Sequence, residues 1–145
     1  FSYTDEFMWD YIPPSLIYSS PEYSHGEKID FSSNVFTYSL LVYLIVAGKH
    51  PFGFKNRHDA FKIQNRVLNG YRPDTRGIDN DLIVSLLDNC WDHIPMRRPS
   101  FDDIVDVITK EEFYSCFEPF DHESVKKYLD TFTQYECFKK LKDNF

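Results

Sequence analysis

The sequence predicts an all-α protein in which one buried central helix is ringed by amphipathic helices. Three observations predict this fold class. Residues 34–47 contain neither proline nor glycine, and residues 40–46 within them are apolar on every side of a helix. Several other segments repeat apolar residues at the 3.6-residue period of an amphipathic helix. Two-residue hairpin turns between alternating strands are absent from the sequence of 145 residues.

The central helix has recognisable ends in the sequence. Ser33 is the predicted N-cap, because its hydroxyl can accept a hydrogen bond from an unpaired backbone N–H group of the first turn. Gly48 is the predicted stop, and Pro51 lies just beyond it. A helix that is apolar on all sides must be enclosed by protein, so a chain of this length needs other helices around it.

The surrounding helices follow in order along the chain. Ser100 and Asp103 have the spacing of a capping box, and Asp121 can cap the helix after it. Residues 1–24 contain three prolines and no sustained helical period, so we expect them to be irregular. The predicted surrounding helices cover residues 59–68, 80–90, 100–108 and 122–132, and a last one contains Phe138 and Leu141.

The composition argues against several functional classes. Sixteen basic and 23 acidic residues give a formal net charge of −7, which disfavours nucleic acids and anionic membranes as partners. The longest apolar run, residues 40–47, is far shorter than the ~20 residues that cross a bilayer, and the N-terminus lacks a signal-peptide pattern. Because the three cysteines form no C-x-x-C pair and the histidines no H-E-x-x-H, we expect reduced thiols, no metal site and a cytoplasmic protein.

Four motifs carry the functional information. They are S-P-E at 20–22, S-N-V-F-T-Y-S-L-L-V-Y-L at 33–44, G-K-H-P-F at 48–52, and C-W with P-x-x-R-P-S-F ending at residue 101. In this order they resemble the A-P-E motif, the S-D-V-Y-S-F-G helix, the T-G-x-x-P-F turn and the C-W-x-x-x-P-x-x-R-P-S-F motif of the C-terminal lobe of a eukaryotic protein kinase. The last motif, with Tyr18 where true tyrosine kinases have tryptophan, favours the tyrosine-kinase-like group, most of which phosphorylates serine or threonine.

The resemblance implies a partial kinase domain at residues 1–110, from the activation segment to the last helix of the lobe. Residues 111–145 would be a helical, aromatic-rich C-terminal extension. The sequence begins at Phe1 and contains no Gly-rich loop, V-A-I-K or H-R-D motif, so we expect a fragment, a processed form or an excised piece. We expect no catalytic, cofactor-binding or metal-binding residue in it.

The resemblance also implies what the intact protein does. It would transfer the γ-phosphoryl group of ATP, with Mg²⁺, to a serine or threonine hydroxyl of a protein substrate. The fragment itself would be inactive, would hold neither ATP nor Mg²⁺, and would supply the substrate-side platform.

Individual residues acquire expected roles from the same motifs. Glu22 and Arg98 would form a partly buried ion pair that fixes the substrate-binding loop to the helical lobe. The loop residues that face the position after the phosphoacceptor would be Ser15, Leu16, Ile17 and Tyr18. The structural motif residues are Pro21, Glu22, Asn34, Trp91 and Arg98. If residues 1–2 are the tail of a D-F-G motif, the candidate phosphorylation sites on the activation loop are Ser2, Tyr3, Thr4 and Tyr11.

Asn34 is the main departure from the family pattern. The family has an aspartate there, whose carboxylate accepts backbone N–H groups of the catalytic loop. An amide offers one acceptor oxygen, and its NH₂ group cannot accept a hydrogen bond. This leaves open a second hypothesis, a pseudokinase scaffold whose helical lobe and aromatic tail bind protein partners without chemistry. A helical adaptor with accidental motif matches is the third.

Overall fold

The computed structural model describes residues 14–24, 26, 29–53, 58–114, 117 and 121–133. Among these residues there are helices and turns but no strands, which confirms the predicted all-α fold class. The α-helices are α1 (Pro21–Ser24), α2 (Phe31–Ala47), α3 (His58–Leu68), α4 (Asp81–Cys90), α5 (Phe101–Ile108), α6 (Glu111–Tyr114) and α7 (His122–Thr133). Two 3₁₀ turns, Pro14–Tyr18 and Pro95–Arg97, lie before α1 and after α4.

The core is built around α2. This helix packs against α4 and both 3₁₀ turns, while α3 packs against the Pro14–Tyr18 turn and α1. The fully buried side chains of α2 are joined in the core by Val67 of α3 and Leu87 of α4. Each fully buried side chain of this kind stabilises the fold by about 1.5–3 kcal/mol. The large buried side chains of α2 are Val35, Phe36, Leu40 and Tyr43.

One stripe of α2 is not enclosed by the described residues. Leu41 is 46% exposed and Ile45 is 78% exposed, and the two lie one turn apart on the same face. The expectation that this helix is covered on every side is therefore wrong for this stripe within the described part of the chain. An apolar pattern marks a surface that packs favourably, but it does not say which segment covers that surface. None of the described helices is long and apolar enough to cross a membrane.

The N-terminus of α2 differs from the prediction. Asp30, not Ser33, is the N-cap, and its Oδ1 accepts the backbone N–H groups of Ser32 at 2.8 Å and Ser33 at 3.4 Å. Ser33 lies inside the first turn, and its hydroxyl donates to Glu22 instead. The prediction was wrong because both residues are good caps and the sequence does not show at which of them the helix begins. The predicted end is observed, since Gly48 adopts the left-handed conformation with φ of 61°.

The segment before α2 is more ordered than predicted. Residues 1–24 were expected to be irregular, but Pro14 and Pro21 each begin a short helical turn. Proline fits the first position of a helix because its fixed φ is helical and its missing N–H would have no partner there. Such short turns are invisible to a periodicity argument. Residues 1–13 lie outside the described part of the chain.

The chain divides into two compact units, residues 1–104 and residues 105–145. In the second unit, Asp121 caps α7 as predicted, accepting the backbone N–H of Ser124 at 3.1 Å. Phe113 is buried, and its ring lies 5.9 Å from that of Phe117. The predicted helix around Phe138 and Leu141 falls outside the described residues.

Removing the Asp30 cap tests this account of α2. We expect Asp30→Ala to lower the free energy of unfolding by about 1 kcal/mol, because two backbone N–H groups lose their acceptor. Asp30→Asn is the matched control, since asparagine caps about equally well. Urea denaturation of the three proteins measures the difference. An equal loss in both variants would contradict a capping role.

Candidate functional site

A buried ion pair joins distant parts of the first unit. Nη1 of Arg98 lies 2.6 Å from Oε1 of Glu22, and Nη2 lies 2.9 Å from Oε2. The side chains are 0% and 6% exposed, respectively. This is the bidentate geometry in which the planar guanidinium matches a carboxylate. The structure thus brings together the two residues that the sequence motifs pair.

The remaining polar atoms of the pair also have partners. Arg98 donates from Nε to the carbonyl oxygen of Asp92 at 2.9 Å, and from Nη1 to that of Ser32 at 2.9 Å. The hydroxyl of Ser33 donates to Oε1 of Glu22 at 2.7 Å. Burying charges costs free energy unless all their polar atoms are hydrogen-bonded, and these contacts offset that cost for the pair. It links α1, the start of α2 and the Pro95–Arg97 turn.

Burial and hydrogen bonds together set the protonation state of the Glu22 carboxyl group. Burial alone would raise the pKa of its carboxyl group, but hydrogen bonds from Arg98, its own backbone and Ser33 outweigh burial and lower the pKa to about 2. The carboxylate is therefore ionised at neutral pH, and the fold stabilises the ionised form.

A second arginine, the half-buried Arg72, lies close to this pair. Its Nε donates to the carbonyl oxygen of Trp91 at 2.7 Å, and its Nη1 to that of Val67 at 3.1 Å. The guanidinium carbons of Arg72 and Arg98 each lie 5.1 Å from the ring centroid of Phe36. Burial, followed by the neighbouring charge of Arg98, lowers the pKa of Arg72 to about 10. Sequence reasoning missed Arg72, because an arginine in a loop outside any motif gives no sign that it is half-buried and hydrogen-bonded to the core.

The Pro14–Tyr18 turn is held by two helices. Thr37 of α2 donates from its hydroxyl to the carbonyl oxygen of Tyr18 at 2.9 Å. Gln64 of α3 donates from Nε2 to the carbonyl oxygen of Leu16 and, at 3.1 Å, to that of Ser19. Ile17 is buried. Neither Thr37 nor Gln64 was singled out from the sequence.

A signal for Gln64 does exist in the sequence. It occupies one of four positions, 60, 63, 64 and 67, with the i, i+3, i+4, i+7 spacing of a helix face. The other three residues on that face are apolar and buried. A single amide side chain on a buried helix face indicates that the fold supplies specific hydrogen-bond partners for it.

The other predicted residues lie as follows. Pro21 and Trp91 are buried, and the indole N–H of Trp91 donates to Oδ1 of Asp88 at 3.1 Å. Asn34 is exposed. Ser15 belongs to the Pro14–Tyr18 turn, but its side chain is outside what the structure describes. The candidate phosphorylation sites Ser2, Tyr3, Thr4 and Tyr11 all lie outside the described residues.

Cys90, the cysteine at the end of α4, is packed into the core. Burial raises the pKa of its thiol to about 12, so it stays protonated and is not a nucleophile at neutral pH. Among the described residues, no cluster of three or more His, Cys, Asp or Glu side chains could hold a metal ion.

An open groove lies beside the Pro14–Tyr18 turn. Its volume is about 690 Å³. Leu16 of the turn forms one wall, α3 forms another, and Tyr23 of α1 lies at its edge. The lining from α3 consists of Phe61, Lys62, Gln64, Asn65 and Leu68. The lining is largely apolar with a few polar groups, which is the character of ligand-binding clefts.

A helical lobe with a buried carboxylate–arginine pair next to a short loop is the arrangement that the protein kinase motifs predict. The family model for protein tyrosine and serine/threonine kinases matches residues 12–108. The chain therefore belongs to the protein tyrosine and serine/threonine kinase family. This confirms the resemblance to the C-terminal lobe of a protein kinase.

Curated relatives agree with the family match. The chain is 32% identical over 98 residues to serine/threonine-protein kinase VIK of Arabidopsis thaliana, covering 66% of this chain and 22% of that protein. It is 30% identical over 95 residues to human mitogen-activated protein kinase kinase kinase 7, covering 66% and 16%. It is 25% identical over 107 residues to cyclic GMP-binding protein C of Dictyostelium discoideum, covering 73% and 4%. The chain thus spans less than a quarter of the length of each of these relatives.

The ion pair makes stability depend on pH. The pKa of Glu22 in the folded protein, about 2, lies below the ordinary value of 4.5, so the pair's contribution is fully present above pH 4.5 and is lost as the pH falls towards 2. We expect the destabilisation caused by Glu22→Gln to shrink by roughly 3 kcal/mol between pH 6 and pH 2. Urea denaturation at a series of pH values measures this.

The control for this series is Glu111→Gln, which neutralises an exposed glutamate outside the ion pair. We expect its effect on stability to be small at every pH. A Glu22→Gln effect that stays constant from pH 6 to pH 2 would contradict the pairing account.

Proposed function

We propose that this chain is the helical C-terminal-lobe part of an ATP-dependent protein kinase, and that the intact kinase phosphorylates serine or threonine in protein substrates. In this proposal the chain supplies the substrate-side platform. The observation that carries it is the Glu22–Arg98 pair, because that pair fixes α1 and with it the preceding Pro14–Tyr18 turn beside the groove. The similarity to serine/threonine-protein kinase VIK supports the choice of phosphoacceptor.

The proposal divides the work between this chain and the rest of the kinase. Phosphoryl transfer depends on groups that position ATP, Mg²⁺ and the attacking hydroxyl. The sequence contains none of the family motifs that supply those groups, so we assign no residue of it to ATP or Mg²⁺ and expect the isolated chain to be inactive. We propose residues 1–110 as the kinase part and residues 111–145 as an extension, in a cytoplasmic protein.

The remaining site assignments are also part of the proposal. Ser15, Leu16, Ile17 and Tyr18 would face the substrate residue after the phosphoacceptor. Ser2, Tyr3, Thr4 and Tyr11 would be phosphorylation sites on the activation loop, since added phosphate can order such a loop where arginines meet it.

A direct test uses the full-length protein with ATP, Mg²⁺ and three peptide pools. Each pool contains serine, threonine or tyrosine as its sole phosphoacceptor. The proposal requires phosphate transfer to the serine or threonine pool. Transfer to none of the pools, by a protein that is folded, would contradict it.

A second candidate function is a pseudokinase scaffold that binds protein partners without chemistry. The observation that favours it is Asn34, because an amide stands where the family has a carboxylate that accepts backbone N–H groups. The exposed position of Asn34 on α2 leaves its side chain available to another segment of a kinase domain.

The Asn34→Asp variant of the full-length protein separates the two candidates. If the protein is a working kinase, we expect activity and ATP affinity to change less than about threefold, which is under about 0.7 kcal/mol. If it is a scaffold, restoring the carboxylate should raise both from a low starting value. Asn89→Asp, which adds the same charge at an exposed position of α4, is the control. A large gain confined to Asn34→Asp would overturn the working-kinase proposal.

A further inference from the structure

Gln64 is a buried polar side chain on a helix face that is otherwise apolar. It is 3% exposed, and its neighbours on that face are core residues of α3. Burying an amide costs free energy unless its hydrogen-bonding groups find partners. Its presence therefore needs an explanation in terms of specific contacts.

Two hydrogen bonds of Gln64 reach one short segment. Its Nε2 donates to the carbonyl oxygen of Leu16 and, at 3.1 Å, to that of Ser19. These two carbonyls lie three residues apart, and the backbone N–H of Ser19 also donates to Leu16, at 3.0 Å. One amide group from α3 thus joins the last part of the Pro14–Tyr18 turn to the residue that follows it.

The same side chain also lines the groove. Leu16 and Gln64 both line the groove, so a movement of the turn would move part of the groove wall. Thr37 holds the carbonyl of Tyr18 from the opposite helix. The turn is therefore tied to α2 by one hydrogen bond and to α3 by two, and only Gln64 among these donors also faces the groove.

We propose that Gln64 is a positioning residue that sets the conformation of the Pro14–Tyr18 turn and thereby the shape of the groove in which a protein substrate binds. The part that concerns substrate rests on the function proposed above. Without the two donated hydrogen bonds, the carbonyls of Leu16 and Ser19 lose their partner on α3, and the turn opens more often.

The first readout is hydrogen exchange of residues 16–20 in the full-length protein. Gln64→Met keeps the length of the side chain and removes both donors, and Gln64→Glu keeps the shape and replaces the donors by an ionised acceptor. We expect exchange of this segment to accelerate roughly tenfold in both variants. Arg66→Met, a change at an exposed residue of the same helix that does not line the groove, is the matched control and should leave the exchange rate unchanged. Unchanged exchange in Gln64→Met, or an equal increase in Arg66→Met, overturns the proposal.

The second readout is steady-state kinetics of peptide phosphorylation by the full-length protein. We expect Gln64→Met to raise KM for the peptide about tenfold, with kcat changed less than about twofold, because the turn contacts substrate and not the transferred phosphate. Faster exchange with an unchanged KM overturns the part of the proposal that concerns substrate. If the unmodified protein transfers no phosphate, the proposed function fails, while the exchange comparison still decides whether Gln64 positions the turn.

Discussion

The carboxylate of Glu22 and the guanidinium of Arg98 are buried together, and the arrangement of the surrounding segments depends on satisfying both charges. Arg98 makes four hydrogen bonds, two to Glu22 and two to backbone carbonyls. Glu22 receives a further one from Ser33. Asp30 caps α2, which places Ser33 inside the first turn of the helix, where its hydroxyl contacts Glu22. The choice of cap and the satisfaction of the ion pair are thus parts of one arrangement.

The Glu22–Arg98 pair also affects the groove, because it fixes the position of α1 next to the turn that lines the groove. Glu22 lies in α1, which begins three residues after the Pro14–Tyr18 turn, so fixing Glu22 limits where the turn can lie. Thr37 then holds the turn from α2, and Gln64 holds it from α3. The chain connection to α1 and the contacts with α2 and α3 therefore determine the position of the Pro14–Tyr18 turn, which is too short to be stable by itself. These contacts explain how the Pro14–Tyr18 turn, which belongs to no sheet or long helix, forms a defined wall of the groove.

Sequence reasoning predicted the fold class and most helices, because their apolar period and stop signals are local. The end of α2 at Gly48 and the cap of α7 at Asp121 are of this kind. The start of α2 was missed, because Asp30 and Ser33 are both good caps and the sequence does not show that Ser33 contacts Glu22, 11 residues away. The Glu22–Arg98 contact spans 76 residues, and only the motif resemblance suggested it.

The contacts of Arg72 and Gln64 could not be predicted from the sequence in the way that the helix ends could. Arg72 lies in a loop, where no local pattern indicates that it is half-buried, and its partners are backbone carbonyls that every residue possesses. The sequence shows Gln64 as a polar residue on an otherwise apolar helix face, but the helical spacing does not indicate which segment it contacts. Long-range hydrogen bonds to backbone atoms are therefore the part of this site that a single sequence does not reveal.

The central claim is that Glu22 and Arg98 stabilise the lobe as a coupled pair, and a double-mutant cycle tests it most directly. The free energy of unfolding is measured for the unmodified protein, Glu22→Gln, Arg98→Met and the double variant. Each single change should cost about 3–5 kcal/mol, because it leaves a buried group without its partner. The double change should cost at least about 2 kcal/mol less than the sum of the two. Additive losses would contradict the claim, since they would show that the two side chains stabilise the fold independently.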